Sequence, residues 1–113
     1  MKKPKVYIAS AYTVGDCAIN VRVQIDAVEE LMNLGYIPFA PLYSHFQHMV
    51  HPRSYESWLE YDFAWIDSCD CLLRLPGESS GADREDAEAK RLGLPVFYSI
   101  DELDNHYKNK SNV

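Results

Sequence analysis

Cys71-Leu72-Leu73-Arg74-Leu75-Pro76-Gly77-Glu78-Ser79-Ser80-Gly81-Ala82-Asp83-Arg84-Glu85 is the run whose reading decides the fold. Cys71 to Leu75 is a short apolar run that reads as a strand, and Pro76 to Gly81 reads as a turn. About Ala82 to Leu92 reads as a helix, closed by Gly93 at the position where glycine stops helices. A strand that feeds a Gly/Ser turn and then a helix aims unpaired backbone N–H groups and a positive dipole end at one spot. The spacing puts Glu85 in the first turn of that helix, a carboxylate beside an anion-ready cradle. Such a combination suits an enzyme handling a small sugar phosphate or nucleoside better than a structural module.

Outward from this run, strand and helix alternate. Lys5 to Ser10 reads as a buried strand, and Ala11 to Asp16 as a loop. From Cys17, the recurrence of Ala18, Val21, Ile25, Val28 and Met32, with Leu31 beside them, predicts an amphipathic helix stopped by Gly35. Tyr36 to Ala40 is a second strand between Pro38 and Pro41, and Leu42 to Arg53 is expected to be a long loop. Ser54 to Ser68 reads as a second helix and Pro95 to Tyr98 as a fourth strand. Ser99-Ile100-Asp101-Glu102 has capping-box spacing and opens a last helix through about Tyr107, with 108–113 a frayed polar tail. The alternation implies right-handed βαβ crossovers and a mostly parallel sheet with helices on both faces. Ligands of such sheets sit outside the carboxyl ends of the strands. The loops Ser10 to Asp16, Pro41 to Arg53 and Pro76 to Gly81 therefore should converge.

At 113 residues the chain is expected to be a single domain, 1–113. A net charge of −6 argues against binding polymeric nucleic acid, which needs clustered Lys and Arg. The basic group Lys2, Lys3 and Lys5 reads as a solvated terminus. No window has the length of a membrane span and no signal-peptide pattern is present. Three cysteines without C-x-x-C spacing read as reduced thiols, and the chain as cytoplasmic.

Each candidate residue has a plain structural alternative. Glu85 either complements the helix dipole or, at a strand's carboxyl end, attacks or stabilises an anomeric centre. Ser79, Ser80 and Gly81 either cap the helix, with Ser80 as the N-cap, or cradle a phosphate or hydroxyl. Asp62, between Trp58 and Trp65, either accepts backbone N–H groups or lines the site wall and orients the base or a catalytic group. Asp70 either ends a turn or, with Asp62 as the alternative, protonates or orients the departing base. His45, His48 and His51 stand at metal-like spacing, but Pro41 and Pro52 bracket the segment. A pocket lid contributing Ser44, His45 and Phe46 is the preferred reading, and no metal or cofactor is expected.

The ordered set Val6-Tyr7-Ile8-Ala9-Ser10, Gly35 to Pro41, Tyr61-Asp62 with Cys69-Asp70, Ser79-Ser80-Gly81 with Glu85, and Leu92 to Val96 resembles the nucleoside 2-deoxyribosyltransferase-like superfamily. The resemblance covers residues 5 to 98 and includes the branch of deoxynucleoside 5′-monophosphate N-glycosidases. It implies an α/β, flavodoxin-like (Rossmann-like) three-layer sandwich with a four- to five-stranded sheet. It also implies cleavage or transfer at an N-glycosidic bond, with Glu85 at the sugar C1′. By the same resemblance Ser79 contacts a 5′-phosphate, Asp70 lies near the base, and Tyr7, Ser10 and Tyr12 belong to the first-strand segment flooring the site. The implied partner is a small nucleoside or nucleotide, and the implied assembly a homodimer or larger. Ala9-Ser10-Ala11-Tyr12 stands where monophosphate hydrolases carry Gly-Ser-x-Arg. The alternative is a protein that binds or senses a nucleotide or an NAD-derived molecule in the same pocket without chemistry.

Overall fold

A computed structural model of the chain describes residues 3–111. Lys2 of the basic terminus and residues 112–113 of the expected tail lie outside the described residues.

Four strands, β1 (Lys5–Ala9), β2 (Ile37–Phe39), β3 (Cys71–Arg74) and β4 (Val96–Phe97), form one sheet in the order β2-β1-β3-β4. All three pairings are parallel, with Tyr7 opposite both Phe39 and Leu72 and Leu73 opposite Phe97. The chain leaves β1 toward β2 on one side and returns to β3 on the other, so the order reverses between β1 and β3. The α/β expectation of a mostly parallel sheet holds, and the described sheet has four strands.

Alternation along the strands builds two cores. Val6, Ile8 and Leu73 face α1 (Cys17–Asn33) and α5 (Ile100–Ser111), packing with Val28, Leu31 and Leu103. Tyr7, Ala9 and Leu72 face α3 (Tyr55–Asp67) and α4 (Ser80–Arg91), packing with Ile66, Ala82 and Ala89. Three layers result, helices on sheet on helices.

Several local expectations are corrected. In α1 the buried stripe is Gln24, Ala27, Val28 and Leu31, while Ile25 and Met32 are exposed. The misphasing follows from Gln24, a polar residue that is buried because its amide is fully hydrogen-bonded. The segment 42–53 is not a loop: a 3-10 turn, Pro41–Tyr43, leads into α2 (Ser44–Val50). Pro41 at the first position of that turn is preorganised for helix, and α2 buries no residue, so it writes no apolar period into the sequence. Helix α4 opens at Ser80, with Ser79 as the N-cap accepting from the Ala82 N–H at 3.1 Å. Glu85 is therefore in the second turn, one turn further from the helix end than its spacing suggests. The last helix does not stop near Tyr107 but continues to Ser111.

Candidate active site

The carboxyl ends of β1 and β3 open into a cavity of about 290 Å³. Glu85 is at its base, only 6% exposed, and the fully buried Tyr7 hydroxyl donates a hydrogen bond to Glu85 Oε2. Asp62 lines the same cavity from α3, close enough for its charge to act on both Glu85 and Tyr7. Two carboxylates this close and this dry cannot both ionise cheaply. Burial first, then the Asp62 charge, pushes Glu85 well above the usual carboxylate range, while the Tyr7 hydrogen bond works against the shift. Burial also raises Asp62, to about 6. Burial therefore makes it costly for both groups of the pair to be charged at once. Tyr7 is held protonated by burial and by the Glu85 charge beside it.

Ser10, Tyr12, His45, Ser79, Ser80 and Gly81 line the walls, so the three loops expected to converge do so. Two expected residues are not brought here. Phe46 is 66% exposed on the outer side of α2, touching only the edge of His45. Asp70 precedes β3 at the amino end of the sheet, exposed, accepting from the Lys5 backbone N–H at 2.8 Å. A residue before a parallel strand lies a full strand length from the ligand end, so Asp62 occupies the place beside Glu85 that had been expected of Asp70.

The turn before α4 is built by Arg74, a charged residue inside an apolar strand. Its guanidinium donates to the Leu75 carbonyl, to the Gly77 carbonyl at 2.8 Å and to Asp83 at 3.0 Å. Gly77 has φ +128°, and a side chain there would strain the backbone where it passes Ala11. Opposite, Gln24 ties three segments together. Its Nε2 donates to Ser10 Oγ at 2.7 Å and to the Ile8 carbonyl at 3.3 Å, and its Oε1 accepts from the Leu42 N–H at 2.9 Å. Because Ser10 Oγ accepts there, its own O–H remains to donate to a ligand.

Sequence reasoning missed Gln24, Tyr55, Trp58, His48 as a bonded wall residue, and Arg53, all of which line the cavity. Some signals were present. Gln24 interrupts an apolar stripe, and Tyr55 and Trp58 stand at helical spacing ahead of Asp62. Tyr55 closes over Gly81: a Cβ on that glycine would come within 3.3 Å of the Tyr55 hydroxyl oxygen. The Tyr55 ring also carries the Arg84 guanidinium at 5.7 Å, itself paired with Glu56 at 2.8 Å.

Among the described residues, no three His, Cys, Asp or Glu side chains are grouped as a metal site requires. His45 is instead hydrogen-bonded to the Tyr12 hydroxyl and His48 to the Trp58 indole. No described helix is long and apolar enough to cross a membrane.

Residues 4–99 match the family described as Domain of unknown function (DUF7768). By sequence, no curated protein matches the chain. Among solved structures it is similar to the 2-deoxyribosyltransferase from the psychrotolerant bacterium Bacillus psychrosaccharolyticus, at TM-score 0.60 and 22% identity, over 81% of this chain and 69% of that one. That likeness shows a shared fold.

Proposed function

We propose that this chain, which belongs to the DUF7768 family, cleaves or transfers the N-glycosidic bond of a nucleoside or nucleoside 5′-monophosphate. The observation that carries the reading is the buried Glu85 with Asp62 beside it in one cavity on the carboxyl side of a parallel sheet. A pair of carboxyl groups, one to meet the anomeric carbon and one to protonate what leaves, is what glycosidic cleavage needs. The shared fold with an enzyme described as a biocatalyst for nucleoside synthesis supports the same substrate class.

In this reading, once the sugar is seated, Glu85 is the carboxylate and Asp62 the acid. A Glu85 oxygen faces C1′ and forms a bond to it, or holds the oxocarbenium ion, as the C1′–N bond breaks. The electron pair of that bond leaves with the base, which takes a proton from Asp62. Water or a second base then attacks C1′, gives its proton back to Asp62, and releases Glu85 as a carboxylate. Tyr7 keeps Glu85 aimed by donating to its other oxygen and favours the ionised form. Ser10, the Ser79 hydroxyl and the α4 N-terminus would receive the sugar or its 5′-phosphate. Arg53 lines the same cavity and supplies a cation, although the Gly-Ser-x-Arg arginine is lacking.

The test is to incubate the purified protein with nucleosides and 5′-monophosphates and to follow free base by chromatography. Base released by the wild type and not by Glu85→Gln supports the proposal. A ligand retained with no base released would make this a binding protein, and overturn it.

A further inference from the structure

Helix α2 forms one side of the cavity, yet none of its residues is buried. Its seven residues are too few to sustain a helix unaided. Polar fastenings hold it instead. At its start, Ser44 Oγ donates to the Pro41 carbonyl at 2.7 Å, and His45 Nδ1 is bonded to the Tyr12 hydroxyl in the loop after β1. At its far end, His48 Nδ1 accepts from Trp58 Nε1 of α3 at 2.8 Å and from the Arg53 backbone N–H at 3.2 Å.

The chemistry of that last contact has one solution. An indole N–H and a backbone amide N–H only donate. His48 Nδ1 must therefore keep its lone pair, so the ring is neutral with its proton on Nε2. A charged imidazolium presents N–H at both nitrogens, and at Nδ1 it would face two other donors. The fastening is lost whenever the ring charges.

We propose that His48 is a pH-sensitive clasp: its neutral ring holds α2 against α3 as a wall of the cavity, and protonation releases that wall and opens the cavity. The charged and titratable groups around it are Arg53 on the connector after α2, with His51 on the same connector, and Asp62 of α3 and Glu85 of α4, which line the same cavity. His45 and Tyr12 make the other fastening, and Tyr61 of α3 packs edge-on against Trp58. Histidine as a side-chain type changes charge between mildly acid and neutral pH, which sets the two pH values of the test. Any effect on turnover rests on the proposed glycosidase activity, but the clasp itself does not.

The experiment accordingly uses the ligand-free protein. Backbone hydrogen exchange of residues 44–54, corrected for intrinsic rates, is compared at pH 8 and pH 5 with that of β1 and β3. Wild type, His48→Asn and His48→Ala are measured, because an asparagine amide oxygen can stand where Nδ1 does and does not titrate. Losing one such hydrogen bond should lower protection roughly two- to tenfold. That loss is expected in wild type on going to pH 5 and in His48→Ala at both pH values. His48→Asn should stay protected throughout. A wild type equally protected at both pH values, a His48→Asn that follows the wild type, or a His48→Ala that is protected at pH 8 would each overturn the proposal. If the β1 and β3 amides show that His48→Ala does not fold, Trp58→Phe removes the indole donor instead and must lower protection at pH 8.

Discussion

The Tyr7 hydroxyl, at the centre of the sheet, donates its hydrogen bond to Glu85 on α4, seventy-eight residues away in sequence. Both groups are buried, so the bond fixes the direction in which the carboxylate points before any ligand arrives. Glu85→Gln keeps the shape and an acceptor for Tyr7 but removes the charge. It should abolish base release, by about 10³-fold or more, without lowering the melting temperature. Glu85→Ala should lose activity equally, and it should also cost about 1–3 kcal/mol of stability, because the buried Tyr7 hydroxyl is left unpaired. Urea titration of the two variants separates the effects: equal inactivity with unequal stability is the expected pattern.

The neighbouring carboxyl groups set a pH signature. Asp62 has its folded value raised to about 6 from an ordinary 3.8, so folding favours its protonated form. Its stabilising contribution is complete below about pH 4 and is lost as pH rises through about 6. Glu85, also raised, acts with the same sign. Unfolding free energy measured from pH 4 to pH 8 should therefore decline, and Asp62→Asn should flatten the decline. In the same variant the Asp62 charge no longer raises Glu85, so the acid limb of any rate profile should move to lower pH. A profile unmoved by Asp62→Asn would mean that the two groups titrate independently.

Much of the architecture was legible because it rests on local patterns. The run from Cys71 to Glu85 carries strand, turn and helix in its own composition, and the alternation of Val6 and Ile8 against Tyr7 and Ala9 gives the sheet its two faces. Glu85 was legible as a candidate from its place after a strand's carboxyl end. Asp62 was named as the alternative to Asp70 opposite Glu85, but the choice between them was not legible, because it depends on α3 and α4 meeting at the sheet's ligand end. Asp70 looked equivalent in sequence, yet it lies on the wrong side of its strand. Helix α2 was illegible for a different reason: a helix held by histidine hydrogen bonds, with Phe46 and Met49 facing outward, has no hydrophobic stripe to announce it. Gln24 fell within a helix correctly expected, on a face wrongly assigned, since the polarity that suggested exposure is satisfied inside.

Gln24 is a direct test of that last point. It is 1% exposed and joins the end of β1, Ser10 and the turn before α2. Gln24→Leu matches its size but leaves the Leu42 N–H and the Ile8 carbonyl without their partner. The expected loss is about 2–4 kcal/mol, read as a lower urea midpoint with an unchanged slope. Were the residue merely a solvated member of a helix face, the change would lie within about 0.5 kcal/mol.

Gly81 tests the cavity's shape rather than its stability. The residue is helical, so alanine there suits the backbone and should itself stabilise by roughly 0.5–1 kcal/mol. The added methyl, however, meets the Tyr55 hydroxyl at 3.3 Å, a contact that only a small displacement of Tyr55 can relieve. Tyr55 lines the cavity and its ring carries the Arg84 guanidinium, so its displacement alters the cavity wall or breaks that contact. Gly81→Ala should therefore keep or raise the melting temperature while weakening ligand binding, seen as a higher KM with kcat changed less. Tyr55→Phe in the same background removes the atom that collides and should restore KM toward the wild-type value. If KM stays high in the double variant, the loss comes from the altered α4 N-terminus itself and not from the displaced ring.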